Sequence, residues 1–188
     1  MSATTPERDR LFTRHVTLLL MAGVAYFSVA GISFPVLPRL VEQKLDGGDA
    51  EIGFAFGVFA LGMLITRPFV GYLADRFGRR PLMVGGATGV ALTQFLIVPS
   101  ADIGLLAFLA VRFATGMASS AMYLGQATTA TELPPRARSG EIFATFSVAV
   151  FVGFAIGPVV GESVLEAGGF TAAFAVAGAI GIGCALMG

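Results

Sequence analysis

Cysteine and histidine occur once each in this 188-residue chain and asparagine not at all, and each shortage closes off a class of chemistry. The one cysteine, Cys184, lies inside an apolar run, so neither a disulfide framework nor a thiolate metal site can be assembled, and a buried, inert thiol is expected. The one histidine, His15, sits at the start of the first apolar run, at the inner interface, where a headgroup contact suits it better than proton carriage. A rhomboid-type intramembrane serine protease needs a Ser and a His facing each other within the membrane, and is excluded. Without asparagine, the paired Asn-Pro-Ala half-helices of an aquaporin are excluded as well. Only 13% of the residues are charged, the acidic and basic side chains cancel, and no patch suited to nucleic acid is visible. No enzyme, cofactor or metal site is expected.

The chain is rich in apolar surface instead. A hydrophobic content of 55%, 25 glycines and a mean hydropathy of +0.82 lie far outside the range of soluble domains. Six stretches approach the ~20 apolar residues that a spanning helix needs, at 16–37, 52–74, 82–99, 103–126, 142–161 and 170–188. They are continuous rather than alternating, which excludes a β-barrel, and helices satisfy their backbone polar groups internally in lipid. The expected architecture is an all-α membrane protein with a cytoplasmic segment 1–15 and a six-helix unit 16–188. Arg8, Arg10 and Arg14 ahead of the first run suit a signal peptide, but the uncharged stretch 16–38 outruns an h-region of ~7 to 15 residues and is retained as a span.

Basic residues set the orientation. With the N-terminus inside, the cytoplasmic segments hold Arg8, Arg10, Arg14, Arg76, Arg79, Arg80, Arg136 and Arg138, against Arg39 and Lys44 outside. Both termini are then cytoplasmic, in a multi-pass protein of the cell membrane.

Three constellations carry the functional reading. The loop Gly71-Tyr-Leu-Ala-Asp75-Arg76-Phe-Gly78-Arg79-Arg80 packs charge and glycine between two apolar runs. Gly71 is expected to let a neighbouring helix approach, and Gly78 to take a positive φ in a short reversal. Asp75 is an acceptor for helix amides or a nearby arginine, and Arg76, Arg79 and Arg80 meet anionic headgroups. In the fourth run, Arg112, Gly116, Ser119, Tyr123 and Gln126 recur at helical spacing on one face. An arginine this deep costs about 2.5 to 3.5 kcal/mol to insert, so it faces a protein interior or a watery cavity; the alternative is a structural arginine satisfied by helix carbonyls. The fifth run contains Gly153, Gly157, Pro158 and Gly161, a small-residue face with a proline kink, which a plain packing helix also explains. Glu162 follows as an interfacial carboxylate. Glu132, beside Pro134 and Pro135, is a candidate member of an inner charge network with Arg76 or Arg79, Arg67 snorkels, and Tyr26 and Ser33 share one face of the first helix.

The loop resembles the G-x-L-a-D-r-x-G-r-k-x-x-l signature of the major facilitator superfamily of secondary transporters, with Arg80 for the usual Lys and Met83 for the usual final Leu. The Arg112-x-x-x-Gly116 pair looks like the family's fourth-helix motif, and the Gly-Pro segment resembles the G-x-x-x-G-P-x-x-G motif of its antiporter branches, with Glu162 in place of a second Gly. The resemblance implies half of a twelve-helix fold, made of two inverted three-helix repeats, with substrate held between the halves. It implies a gating role for Asp75 and Arg76, and proton coupling at Arg112. The expected function is proton-coupled efflux of a small drug-like or metabolite molecule by alternating access, with lipids, protons and either a missing C-terminal half or a second half-transporter as partners. A truncated gene product, a fragment of a longer protein and a pairing half-transporter all fit, and a non-transporting or channel-like helix bundle is the alternative.

Overall fold

The computed structural model describes residues 13–132 and 138–187, and all regular structure among them is helical. Residues 1–12 of the expected cytoplasmic segment, together with Pro134, Pro135, Arg136 and Gly188, lie outside the described residues. Five helices follow one another: α1 (Arg14–Lys44), α2 (Asp49–Phe77), α3 (Arg79–Ile103), α4 (Leu105–Glu132) and α5 (Ser139–Met187). Each is long and apolar enough to cross a membrane.

The stretches expected at 142–161 and 170–188 fall within one element rather than two. Residues between them keep helical geometry, and only Gly169 leaves it, at φ 72° and ψ −171°. That conformation is confined almost entirely to glycine, because a Cβ would collide with the backbone. Gly78 adopts the same kind of geometry, φ 86° and ψ 167°, as the single residue between α2 and α3. Its N–H closes α2 on the Ala74 carbonyl, and α3 begins at the next residue.

α1 extends well past the expected end at residue 37, because Pro35 and Pro38 are absorbed within the helix. Its side chains lie in the centre of the bundle: Ile32, Val36, Leu37, Leu40 and Val41 are fully buried. α2 is peripheral, and Phe54, Leu64, Phe69 and Phe77 point outward, an arrangement stable only in an apolar surround. At its start, the Glu51 carboxylate accepts the Gly48 N–H at 2.8 Å, which holds its pKa below the ordinary carboxylate value.

α1 packs chiefly on α5, α2 and α3 both pack on α4, and α5 also meets α3. Glycines set the closest approaches. A methyl group on Gly116 would meet the Phe59 carbonyl of α2, and one on Gly62 would meet the Phe113 carbonyl of α4, so this crossing is glycine on backbone from both sides. On the other flank Gly153, Gly157 and Gly161 lie against α1, where Gly157 faces Gly31 and the Ser28 carbonyl. In lipid, where apolar side chains gain little from leaving the solvent, such contact supplies the attraction between helices. Ion pairs join the helix ends: Arg39 to Glu162 at 2.8 Å and Lys44 to Asp102 at 2.5 Å at one end of the bundle, Arg79 to Glu132 at the other.

Candidate functional site

All five helices contribute to a cavity of about 210 Å³ inside the bundle. Its walls are aromatic. Phe27 and Phe34 come from α1, Phe56 and Phe59 from α2, and Phe154 from α5. The rings form a chain of contacts, with Phe34 stacked on Phe56 at 6.0 Å between centroids, Phe34 against Phe154 at 5.8 Å and Phe154 against Phe27 at 5.1 Å. This places the long α1 as the spine of the cavity, with rings presented from one of its faces at helical spacing.

Arg112 reaches the cavity from α4 and is 3% exposed. Its Nε donates to the Ala55 carbonyl at 3.3 Å, and its guanidinium carbon lies 4.8 Å from the Phe59 ring centre and 5.8 Å from that of Phe56. No carboxylate pairs with it among the described residues; the ion pairs found there all lie at helix ends. A desolvated cation on an aromatic face is worth about 2 kcal/mol, and a hydrogen bond from a charged donor about 1.5 to 3 kcal/mol. Together these gains, about 3.5 to 5 kcal/mol, offset the insertion cost of about 2.5 to 3.5 kcal/mol with at most a modest surplus. What it brings to the cavity is a fixed positive charge with donors to spare.

The expected polar face of α4 divides. Ser119 lines the cavity, and its carbonyl accepts from the Tyr26 hydroxyl at 3.5 Å. Gly116 faces α2 at the close crossing. Tyr123 packs edge-on against Phe27 at 6.0 Å, behind the cavity wall. Gln126 is fully buried and does not line the cavity, and neither atom of its amide has a hydrogen-bond partner among the described residues. A buried amide without partners costs roughly 1 to 3 kcal/mol. Replacing Gln126 by the similarly shaped methionine is therefore expected to leave the bundle as stable or up to about 1 kcal/mol more stable, as read by thermal unfolding in detergent. A loss of stability would mean that the amide has partners.

Tyr26 and Ser33 of α1 both line the cavity, though the Ser33 hydroxyl turns back to the Val29 carbonyl of its own helix at 3.4 Å. Sequence reasoning passed over Gln94 of α3, which is 2% exposed, lines the cavity and has no partner for its carbonyl oxygen among the described residues. Its signal was a lone amide in an otherwise apolar run. Thr115, also on the cavity, was passed over too; its hydroxyl bonds to Val111 one turn back, as a threonine in any helix can.

The residues of the charged loop lie far along α2 and the start of α3. Asp75 is exposed, and neither a helix amide nor an arginine meets it among the described residues. Arg76 takes the Tyr72 hydroxyl at 3.1 Å and lies over the Phe77 ring, while Arg79 pairs with Glu132. Gly71 has open space beside it rather than the neighbouring helix expected there, since this face of α2 is unpacked. Pro158 lies within α5 beside the Gly31–Gly157 contact, so the glycine face of α5 is a packing surface for α1. Glu162, within α5, is held by Arg39 of α1 and does not line the cavity. Cys184 is buried, and its thiol donates to the Ala22 carbonyl at 3.3 Å.

Comparison with known proteins extends these observations. The family model described as Major Facilitator Superfamily matches residues 18–188. An uncharacterized MFS-type transporter of Methanocaldococcus jannaschii is 30% identical over 173 residues, covering 91% of this chain and 42% of that protein. Multidrug resistance protein 2 of Bacillus subtilis is 30% identical over 179 residues, 94% of this chain and 40% of its own. Quinolone resistance protein NorA of Staphylococcus aureus is 28% identical over 166 residues, 85% of this chain and 42% of its own. The chain thus spans about two fifths of the length of the curated relatives it matches.

Proposed function

We propose, since the chain belongs to the Major Facilitator Superfamily, that it forms one six-helix half of a secondary transporter that exports a lipophilic small molecule by proton-coupled alternating access. The observation that carries this reading is the aromatic cavity with Arg112 as its one buried charge. Phenyl walls favour a flat apolar solute, and a guanidinium with no carboxylate partner among the described residues gives it a point of electrostatic contact. The names of two relatives, which speak of multidrug and quinolone resistance, point to the same class of cargo.

The break at Gly169 supports six crossings rather than five. An unbroken α-helix of 49 residues would be about 74 Å long at 1.5 Å per residue, more than twice the ~30 Å of a bilayer core. Six crossings divide naturally into two three-helix repeats, α1 to α3 and α4 to the end of α5. Proton coupling rests on Arg112: a cavity that holds one fixed cation responds electrostatically to any proton or charged group that enters it. The exposed Asp75, with Arg76 beside it, suits a contact made with a second half of the transporter in one of the alternating states. Both ends of the chain then lie on the cytoplasmic side of the cell membrane.

The test is transport with a second six-helix half supplied. In inverted vesicles, an imposed proton gradient should drive accumulation of a lipophilic fluorescent dye, and adding the dye should in turn release protons. Dye-independent proton or ion leak at the same rate would replace the transporter by a channel-like bundle. Accumulation that ignores the proton gradient would remove the coupling and leave a passive carrier.

A further inference from the structure

A second cavity, of about 470 Å³, opens at the end of the bundle that carries Arg79 and Arg80, and it shares no lining residue with the aromatic site. Three basic side chains surround it, Arg14 and His15 at the start of α1 and Arg80 at the start of α3. No carboxylate is among the described residues that line it, and Glu132 is paired with Arg79. Two helix N-termini therefore converge on one cavity, and their partial positive charges add to those of the side chains. α3 starts without any side-chain cap, so its first amides are left without a side-chain partner. Deeper in, Leu18, Leu19 and Ala22 of α1 make the floor apolar, about 6 to 12 Å below the basic rim at 1.5 Å per residue.

We propose that this cavity is a site for an anionic phospholipid, with the phosphodiester held by Arg14, His15 and Arg80 and the glycerol and upper acyl chains lying on the Leu18–Ala22 surface. Free phosphate offers the same charge, but it has no use for an apolar floor. The location supports the lipid as the source: the cavity lies where the apolar helices α1 and α3 begin, and basic pockets between membrane helices at their ends hold acidic headgroups. The site stands whether or not the chain transports anything, because it shares no residue with the aromatic cavity.

The experiment uses the purified chain in detergent, titrated with dioleoyl phosphatidylglycerol, dioleoyl phosphatidylcholine or inorganic phosphate, with native mass spectrometry counting bound molecules and thermal unfolding reading stability. Phosphatidylglycerol should remain bound as a single retained lipid and raise the unfolding midpoint, while phosphatidylcholine and millimolar phosphate should do neither. Arg14→Gln with Arg80→Gln should weaken retention about 25-fold, given roughly fivefold per basic residue at a headgroup, whereas Arg14→Lys with Arg80→Lys should keep most of it. Arg67→Gln, which removes a charge from an exposed position on α2, should change nothing. Equal retention of both lipids, equal stabilisation by phosphate, or equal loss in Arg67→Gln would overturn the proposal. Should the glutamine variants fail to fold, a phosphatidylglycerol with a photoreactive group near its glycerol decides the matter in the unaltered chain. Crosslinks at 18–22 support the site, and crosslinks confined to other segments overturn it.

Discussion

Gly116→Ala is expected to destabilise the bundle by about 1 to 3 kcal/mol, the usual cost of overfilling a packed interface. The added methyl would land on the Phe59 carbonyl of α2, and a backbone atom in the middle of a helix cannot rotate out of the way as a side-chain tip does. The crossing would have to open, and the reciprocal contact of Gly62 with the Phe113 carbonyl would open with it. Gly62→Ala combined with Gly116→Ala should thus cost less than the two changes added together, because the first already separates the helices. Gly57→Ala and Gly71→Ala provide the contrast. A methyl at either position meets nothing within 4 Å, so these changes should gain up to about 1 kcal/mol from helix propensity alone. Thermal unfolding of the purified chain in one detergent distinguishes the two sets. Similar effects at all four glycines would mean that α2 and α4 do not cross where the structure has them.

Arg112→Lys is expected to lower proton-driven transport by at least about tenfold, or ~1.4 kcal/mol in barrier, once a second half completes the transporter. Lysine keeps the charge, so insertion and expression should change little. It loses the planar group that lies on Phe59 while donating to Ala55, and it can shed its proton when desolvated, which arginine does not do. Substrate counterflow, which needs no proton gradient, should survive better than gradient-driven accumulation. Equal loss in both assays, together with poor expression, would assign Arg112 to the fold instead.

The membrane class and the course of the helices were legible in the sequence because lipid imposes one simple rule, a continuous apolar run for each crossing. The ends were less so. Hydropathy stopped α1 at residue 37, yet the helix runs on to Lys44, since Pro35 and Pro38 cost only local hydrogen bonds that a packed helix can do without. The break in α5 was placed in a gap between runs, where in the structure a single residue makes it. For the cavity, helical spacing placed Arg112, Ser119 and Tyr26 on usable faces but said nothing of which neighbour each face meets. Gln126 and Gly116 share the α4 spacing of Arg112 and yet are turned to a buried pocket of side chains and to α2. The phenyl walls could not be found at all, because one phenylalanine in an apolar run reads like any other until three helices, α1, α2 and α5, bring their rings together.

Single-residue joints between helices also govern how the bundle can move. A connector of one glycine, as at Gly78 between α2 and α3 or at Gly104 between α3 and α4, has no slack. Neighbouring helices joined in this way behave as the links of a hinge rather than as beads on a string: they can swing about the joint, but neither can slide along or rotate against the other without carrying it. α2, α3 and α4 are in this sense one mechanical part. A movement that opens the aromatic cavity therefore has to tilt these three as a body against α1 and α5, with the longer connection at 45–48 taking up the difference in path.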